Sequence, residues 1–210
     1  MMKRVVGIDV GATQKGFHVV LLEGGRFKPA HFKNMAKLVS WVKMHQPLAI
    51  AIDSPCRWAR DGGSRNCERS LQINGERISC FSTPTQSRAS SSSFYDWVRN
   101  GLGLYRLLEA THPIYDGGVV EPPVLCETFP QAVACMLAGR KVSAKSKGRI
   151  RRQILSEAGY DATGLRNIDL VDAALCALAA EALLDGRYQK FGQAEDGFII
   201  TPQQTPDDKE

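Results

Sequence analysis

Residues 4–10, Arg-Val-Val-Gly-Ile-Asp-Val, constrain this chain more than any other stretch. They are β-branched and largely apolar, which predicts a central strand buried on both faces rather than an alternating surface strand. Asp9 interrupts that strand. A buried charge without a partner is expensive, so the acid is expected to face a site or a cation. The alternative is a strand-end acid that caps a helix or pairs with an arginine. Gly11 and Gly16 bracket a tight turn, Phe17–Leu22 is a second strand, Gly24-Gly25 a hairpin turn and Arg26–Phe32 a third strand. Three strands joined by short turns form an antiparallel meander.

The pattern then changes. Met35, Leu38, Val39 and Val42 recur at helical spacing, and Leu48–Ile52 is a short apolar strand ending at Asp53. A strand, a helix and a strand in sequence imply a crossover and a parallel return. Parallel neighbours that both end in acids set two carboxylates side by side, which calls for a cation or a proton between them. Val124–Glu127 repeats the motif, and Pro130 opens a helix at its first position. Glu127 is therefore either a third site acid or a partner of that helix's positive end. A basic helix is expected over about 143–158, a long Ala-rich helix over about 168–184, and an edge strand at Gly197–Thr201. Asp169 and Asp172 lie three apart near the start of the long helix and share one side of it. Oxygen-rich clusters of this kind suit Mg2+ or Mn2+. A pair of such ions can activate water and stabilise the leaving oxygen of a phosphodiester.

The 210 residues suit one domain, placed at 1–202, with a disordered tail at 203–210. Residues 193–210 carry a net −4 against +5 for the chain, leaving a body of +9 that favours polyanionic partners, DNA or RNA. Seven bases and no acid fall between Arg140 and Arg152, either a phosphate-tracking face or a solvated one. Residues 54–93 are polar and irregular, which is expected of a functional loop. Within them Arg65 and Arg69 flank Glu68, where they either clamp phosphate or pair with that glutamate. No secretion signal or membrane span is visible, so the expectation is a cytoplasmic protein with six reduced cysteines. His18, His31, His45 and His112 are remote from the acids along the chain, and none is assigned to catalysis.

Several motifs, in order, carry a family resemblance. They are Gly7-Ile8-Asp9-Val10-Gly11, Ile52-Asp53-Ser54-Pro55, Arg65-Asn66-Cys67-Glu68-Arg69, Phe81-Ser82-Thr83-Pro84, Glu127-Thr128-Phe129-Pro130, Asp169-Leu170-Val171-Asp172 and the run from Glu195 to Pro202. Together they resemble domain-of-unknown-function family 429, predicted ribonuclease-H-like nucleases. The resemblance implies an α/β fold, a ribonuclease-H-like five-stranded mixed sheet with three antiparallel strands first, flanked by helices. It also implies a divalent-metal site formed by Asp9, Asp53, Glu127 and Asp172, with Mg2+ or Mn2+ as cofactor and nucleic acid as partner. In relatives such as the Holliday-junction resolvases the second acid is usually glutamate, which makes Glu68 a further candidate ligand, as Asp169 is on the last helix. Arg65 and Arg69 would bind the substrate phosphate. Gly7–Thr13 also looks like the first phosphate loop of sugar kinases and actin-like ATPases, which commonly are about twice this length. Three functions therefore stand side by side: a metal-dependent nuclease, a non-catalytic nucleic-acid or partner-binding module of the same fold, and a nucleotide-binding phosphotransferase.

Overall fold

The computed structural model describes residues 3–204. The meander forms as expected: β1 (Arg4–Val10), β2 (Phe17–Glu23) and β3 (Arg26–Phe32) pair antiparallel. Helix α1 (Met35–His45) crosses over, capped by the Asn34 side chain, and β4 (Ala49–Asp53) returns parallel to β1. The long polar segment carries α2 (Asn66–Arg69), the two-stranded ribbon β5 (Gln72–Ile73) and β6 (Glu76–Arg77), and α3 (Gln86–Ala89). Then come α4 (Asp96–Leu108), β7 (Val124–Thr128), α5 (Pro130–Leu137), α6 (Lys147–Glu157), α7 (Ile168–Leu184), β8 (Tyr188–Gln193) and β9 (Gly197–Pro202).

Among the described residues the main sheet is mixed and has seven strands in the order β3-β2-β1-β4-β7-β9-β8, not five. Two strands beyond those five complete it. The segment expected at the edge, β9, lies inside the sheet, parallel to β7, and β8 pairs with it antiparallel as the true edge. β8 escapes notice in the sequence because Tyr-Gln-Lys-Phe-Gly-Gln is half-exposed and lacks an apolar run, as an edge strand allows. Gln203, placed in the tail from sequence, donates its backbone N–H to Arg187 O at 2.8 Å; residues 205–210 lie outside the described residues.

Both sheet faces are covered. Val6, Ile8, Val10, Ile50, Ile52 and Leu125 face α1 and α4, packing with Leu38, Val42, Leu104 and Leu108. Val5, Ala49, Ala51, Val124 and Cys126 face α5 and α7. Helix α7 is buried along almost its whole length by small residues, and that permits very close approach. A Cβ on Gly7 of β1 would sit 2.0 Å from Ala173 O and 2.2 Å from Ala177 N. Glycine at position 7 therefore sets how near α7 can come, and the acids at the start of α7 come with it.

Candidate functional site

Register decides which acids meet. Across the parallel β1–β4 pair, Asp9 is the Cα partner of Asp53, as Gly7 is of Ala51. Side chains alternate along a strand, so residues 7, 9, 51 and 53 share the α7 face. Asp9 lies two residues beyond the glycine that seats α7, and it looks toward Asp169 and Asp172 on the first turns of that helix. Asn167 caps the helix, its Oδ1 accepting from Leu170 N at 2.9 Å, and so fixes where those turns begin.

The electrostatics follow from crowding. Burial, then the carboxylates of Asp172 and Asp169, push Asp9 up to about 7. Asp53 is raised well above its ordinary value by burial, then by Asp9 and Asp172. Asp9 Oδ2 is buried and has no hydrogen-bond partner among the described residues. Three cations reach into the group. Lys15 Nζ donates to Asp169 Oδ1 at 2.6 Å, Lys147 Nζ to Asp172 Oδ2 at 3.3 Å, and buried Arg151 to Asp172 Oδ1. Arg151 also reaches Gln131 Oε1 at 2.9 Å. Of the seven bases of the basic segment, Arg151 and Lys147 thus point at the site, while Arg140, Lys145 and Arg149 are exposed.

His18, assigned no role from sequence, stands inside this group. It is the Cα partner of Asp9 across the β1–β2 hairpin, and its Nδ1 lies 4.0 Å from both Asp9 Oδ2 and Asp169 Oδ2. One ligand atom each from Asp9, His18 and Asp169 lies within 4.8 Å of the others, close enough to share one small guest. The signal for it is in the hairpin: strands ending at Val10 and starting at Phe17 oppose residue 9 to residue 18. Burial lowers the His18 pKa against the raising effect of Asp169.

Glu127 is not brought to the same face. Its register partner on β4 is Ile52, not Asp53. Its carboxylate takes a two-pronged ion pair from Arg65, Nη1 to Oε2 at 2.9 Å and Nη2 to Oε1 at 2.5 Å, and accepts from Cys56 N at 2.9 Å. Arg65 also binds Glu68, Nε to Oε1 at 2.8 Å, and Glu68 accepts from the backbone N–H and hydroxyl of Thr83. Arg65, Glu68 and Glu127 are all buried. Such mutual saturation anchors the 54–93 segment onto β7, and it leaves Arg65 no free donor fork for a phosphate. The sequence carries a signal for this, since pairing of Arg65 with Glu68 is one of the two readings of that motif. Arg69 is exposed at the rim of a polar cleft shared with Arg60, Asp61 and Asp196, with its guanidinium on Ser64 O.

Strand order and side-chain placement define an α/β protein with a carboxylate cluster at the C-terminal ends of parallel strands, where open sheets of this class commonly place ligands. Within that class, the chain belongs to the family described as "Protein of unknown function (DUF429)", whose sequence model matches residues 7–196. No curated protein matches the sequence. Among solved structures it is similar to the Thermus thermophilus RuvC structure, at 18% identity and a TM-score of 0.44, covering 87% of this chain and 95% of that one. No helix among the described residues is long and apolar enough to cross a membrane.

Proposed function

We propose that this chain is a ribonuclease-H-like nuclease that hydrolyses phosphodiesters with Mg2+ or Mn2+ held by Asp9, Asp53 and the acids of α7. The observation that carries this reading is the in-register pair Asp9–Asp53: burial and Asp172 raise both carboxylates, with Asp169 adding to the first and Asp9 to the second. Like charges this close call for a cation, and the oxygen-only set of Asp9, Asp53, Asp169 and Asp172 fits a hard divalent ion. When bound, the ion supplies charge stabilisation at the phosphate and at its leaving oxygen. Lys15 and Lys147, on the acids' rim, and exposed Lys145 and Arg149 give a polyanion its approach. In this reading Glu127, Arg65 and Glu68 hold the fold around the site, and Arg69 serves the substrate at a distance from the acids.

Calorimetric titration with Mn2+, together with cleavage of DNA and RNA oligonucleotides, tests the proposal. Wild type is expected to bind and cleave, and Asp9→Asn and Asp53→Asn to do neither. Cleavage by Asp9→Asn at the wild-type rate would sink the assignment.

A second reading has its own observation. Asp172 is neutralised within the chain by Arg151 and Lys147, as a retired metal site would be. A non-catalytic nucleic-acid-binding module of the same fold would bind oligonucleotide with no Mn2+ uptake at millimolar metal.

A further inference from the structure

The geometry points to His18 as the residue that positions the attacking water of the proposed reaction, rather than as a ligand to the metal. This rests on the nuclease reading above and goes beyond it by naming where the nucleophile sits.

Three observations carry it. First, the His18 side chain is only 9% exposed, and its Nδ1 has no hydrogen-bond partner among the described residues. It is aimed between Asp9 Oδ2 and Asp169 Oδ2, 4.0 Å from each. Second, the other ring nitrogen has a partner of fixed polarity. Asn167 Oδ1 is committed to Leu170 N as the α7 cap, so its Nδ2 faces His18 Nε2, at 3.4 Å. An amide NH2 donates only, so Nε2 accepts. A neutral ring that accepts at Nε2 carries its proton on Nδ1, and a charged ring carries one there as well. A metal ligand shows the opposite arrangement, a bare nitrogen toward the ion and an N–H toward an acceptor. Third, Lys15 occupies Asp169 Oδ1 and leaves Oδ2 to face the ring.

The point between these three atoms is therefore bounded by one donor and two acceptors. A water has the complementary pattern: it accepts from Nδ1–H and donates one proton to each carboxylate. A water oxygen about 2.8 Å from each of three atoms so spaced has ordinary hydrogen-bond geometry. A cation there would meet an N–H. The ring packs against His31 at a tilt, with centroids 4.5 Å apart and planes at 36°, and His31 is tied to Lys15 O at 2.8 Å. In the reaction, the water oxygen bonds to phosphorus as the ester P–O bond breaks. One water proton passes to a carboxylate Oδ2, and the leaving oxygen takes a proton from solvent. His18 keeps its own proton and acts by orientation.

The test has two arms, both on the full chain. Long-range 1H–15N spectra of 15N-histidine-labelled protein are expected to place the His18 proton on Nδ1, with and without saturating Mg2+. A proton on Nε2, or a metal-bound Nδ1 on titration with Cd2+, overturns the inference. In the second arm His18→Leu is expected to lower kcat about 100-fold, with KM and calorimetric Mn2+ affinity within about twofold of wild type. His18→Asn, whose amide N–H can stand where Nδ1–H stood, is expected to recover most of that loss. A tenfold or greater fall in Mn2+ affinity in His18→Leu would make His18 a ligand and refute the inference, as would unchanged cleavage. Absence of Mn2+ binding by wild type defeats the nuclease reading and the nucleophile role with it, whereas the other outcomes defeat only the role of His18.

Discussion

Asp9 and Asp53 lie side by side in register on two parallel strands, on the face of the sheet where α7 begins. Holding both as anions costs stability in the absence of a cation. In the folded chain Asp9 titrates at about 7, against an ordinary 3.8, so the folded state binds its proton more tightly than the unfolded one. Stability of the metal-free protein is therefore expected to fall as pH rises from about 4 to about 7 and to flatten above that. Asp9→Asn removes the penalty. We expect it to be more stable than wild type at pH 8 by roughly 1–3 kcal/mol and nearly level with it at pH 4, measured by chemical denaturation without metal.

Glu127 and Arg65 behave oppositely. Removing the carboxylate leaves a buried guanidinium with only Glu68 to compensate it. Glu127→Gln is expected to lose about 3–5 kcal/mol in urea titration. Where the variant remains folded at low temperature, its Mn2+ affinity should match wild type. A large loss of affinity without a loss of stability would return Glu127 to the metal site.

Gly7 sets the distance between β1 and α7. A methyl group at this position meets the helix backbone, which has no rotamer to yield. Gly7→Ala is expected to lower stability by at least about 2 kcal/mol and to weaken metal binding, since Asp169 and Asp172 move outward with the helix. Thermal melts with and without Mn2+ check both effects.

The exposed bases that flank Lys147 in sequence predict a salt signature. Lys145→Glu with Arg149→Glu should weaken oligonucleotide binding across sequences and reduce the slope of log K against log salt by about 1 for every phosphate left unneutralised. Fluorescence anisotropy at several salt concentrations measures it, and an unchanged slope places the nucleic-acid face elsewhere.

Much of this arrangement is legible from sequence. The meander, the parallel return of β4 and the extent of α7 follow from apolar periodicity and glycine placement, and the pairing of Asp9 with Asp53 follows from the crossover. Other features are less accessible, for different reasons. His18 requires hairpin register rather than motif reading, because its partner lies across the turn. Glu127 looks like a third site acid because it too ends an apolar strand, but one position of register carries it to the other face. Arg65 finds Glu127 62 positions away, a pairing that no local pattern contains. β8 is an edge strand with little apolar content, so the sheet is counted short.

The β1–β2 hairpin, closed by a short turn, has an implication for biogenesis. Asp9 and His18 meet through contacts local in sequence, and such contacts form quickly and early. Asp53 joins after a crossover, and Asp169 and Asp172 come only with a helix more than a hundred residues downstream. During synthesis the emerging chain thus holds one acid beside its histidine while the rest of the set is still unmade. A divalent ion would have its full complement of carboxylates only after α7 has docked, so metal uptake would mark completion of folding and not prompt it.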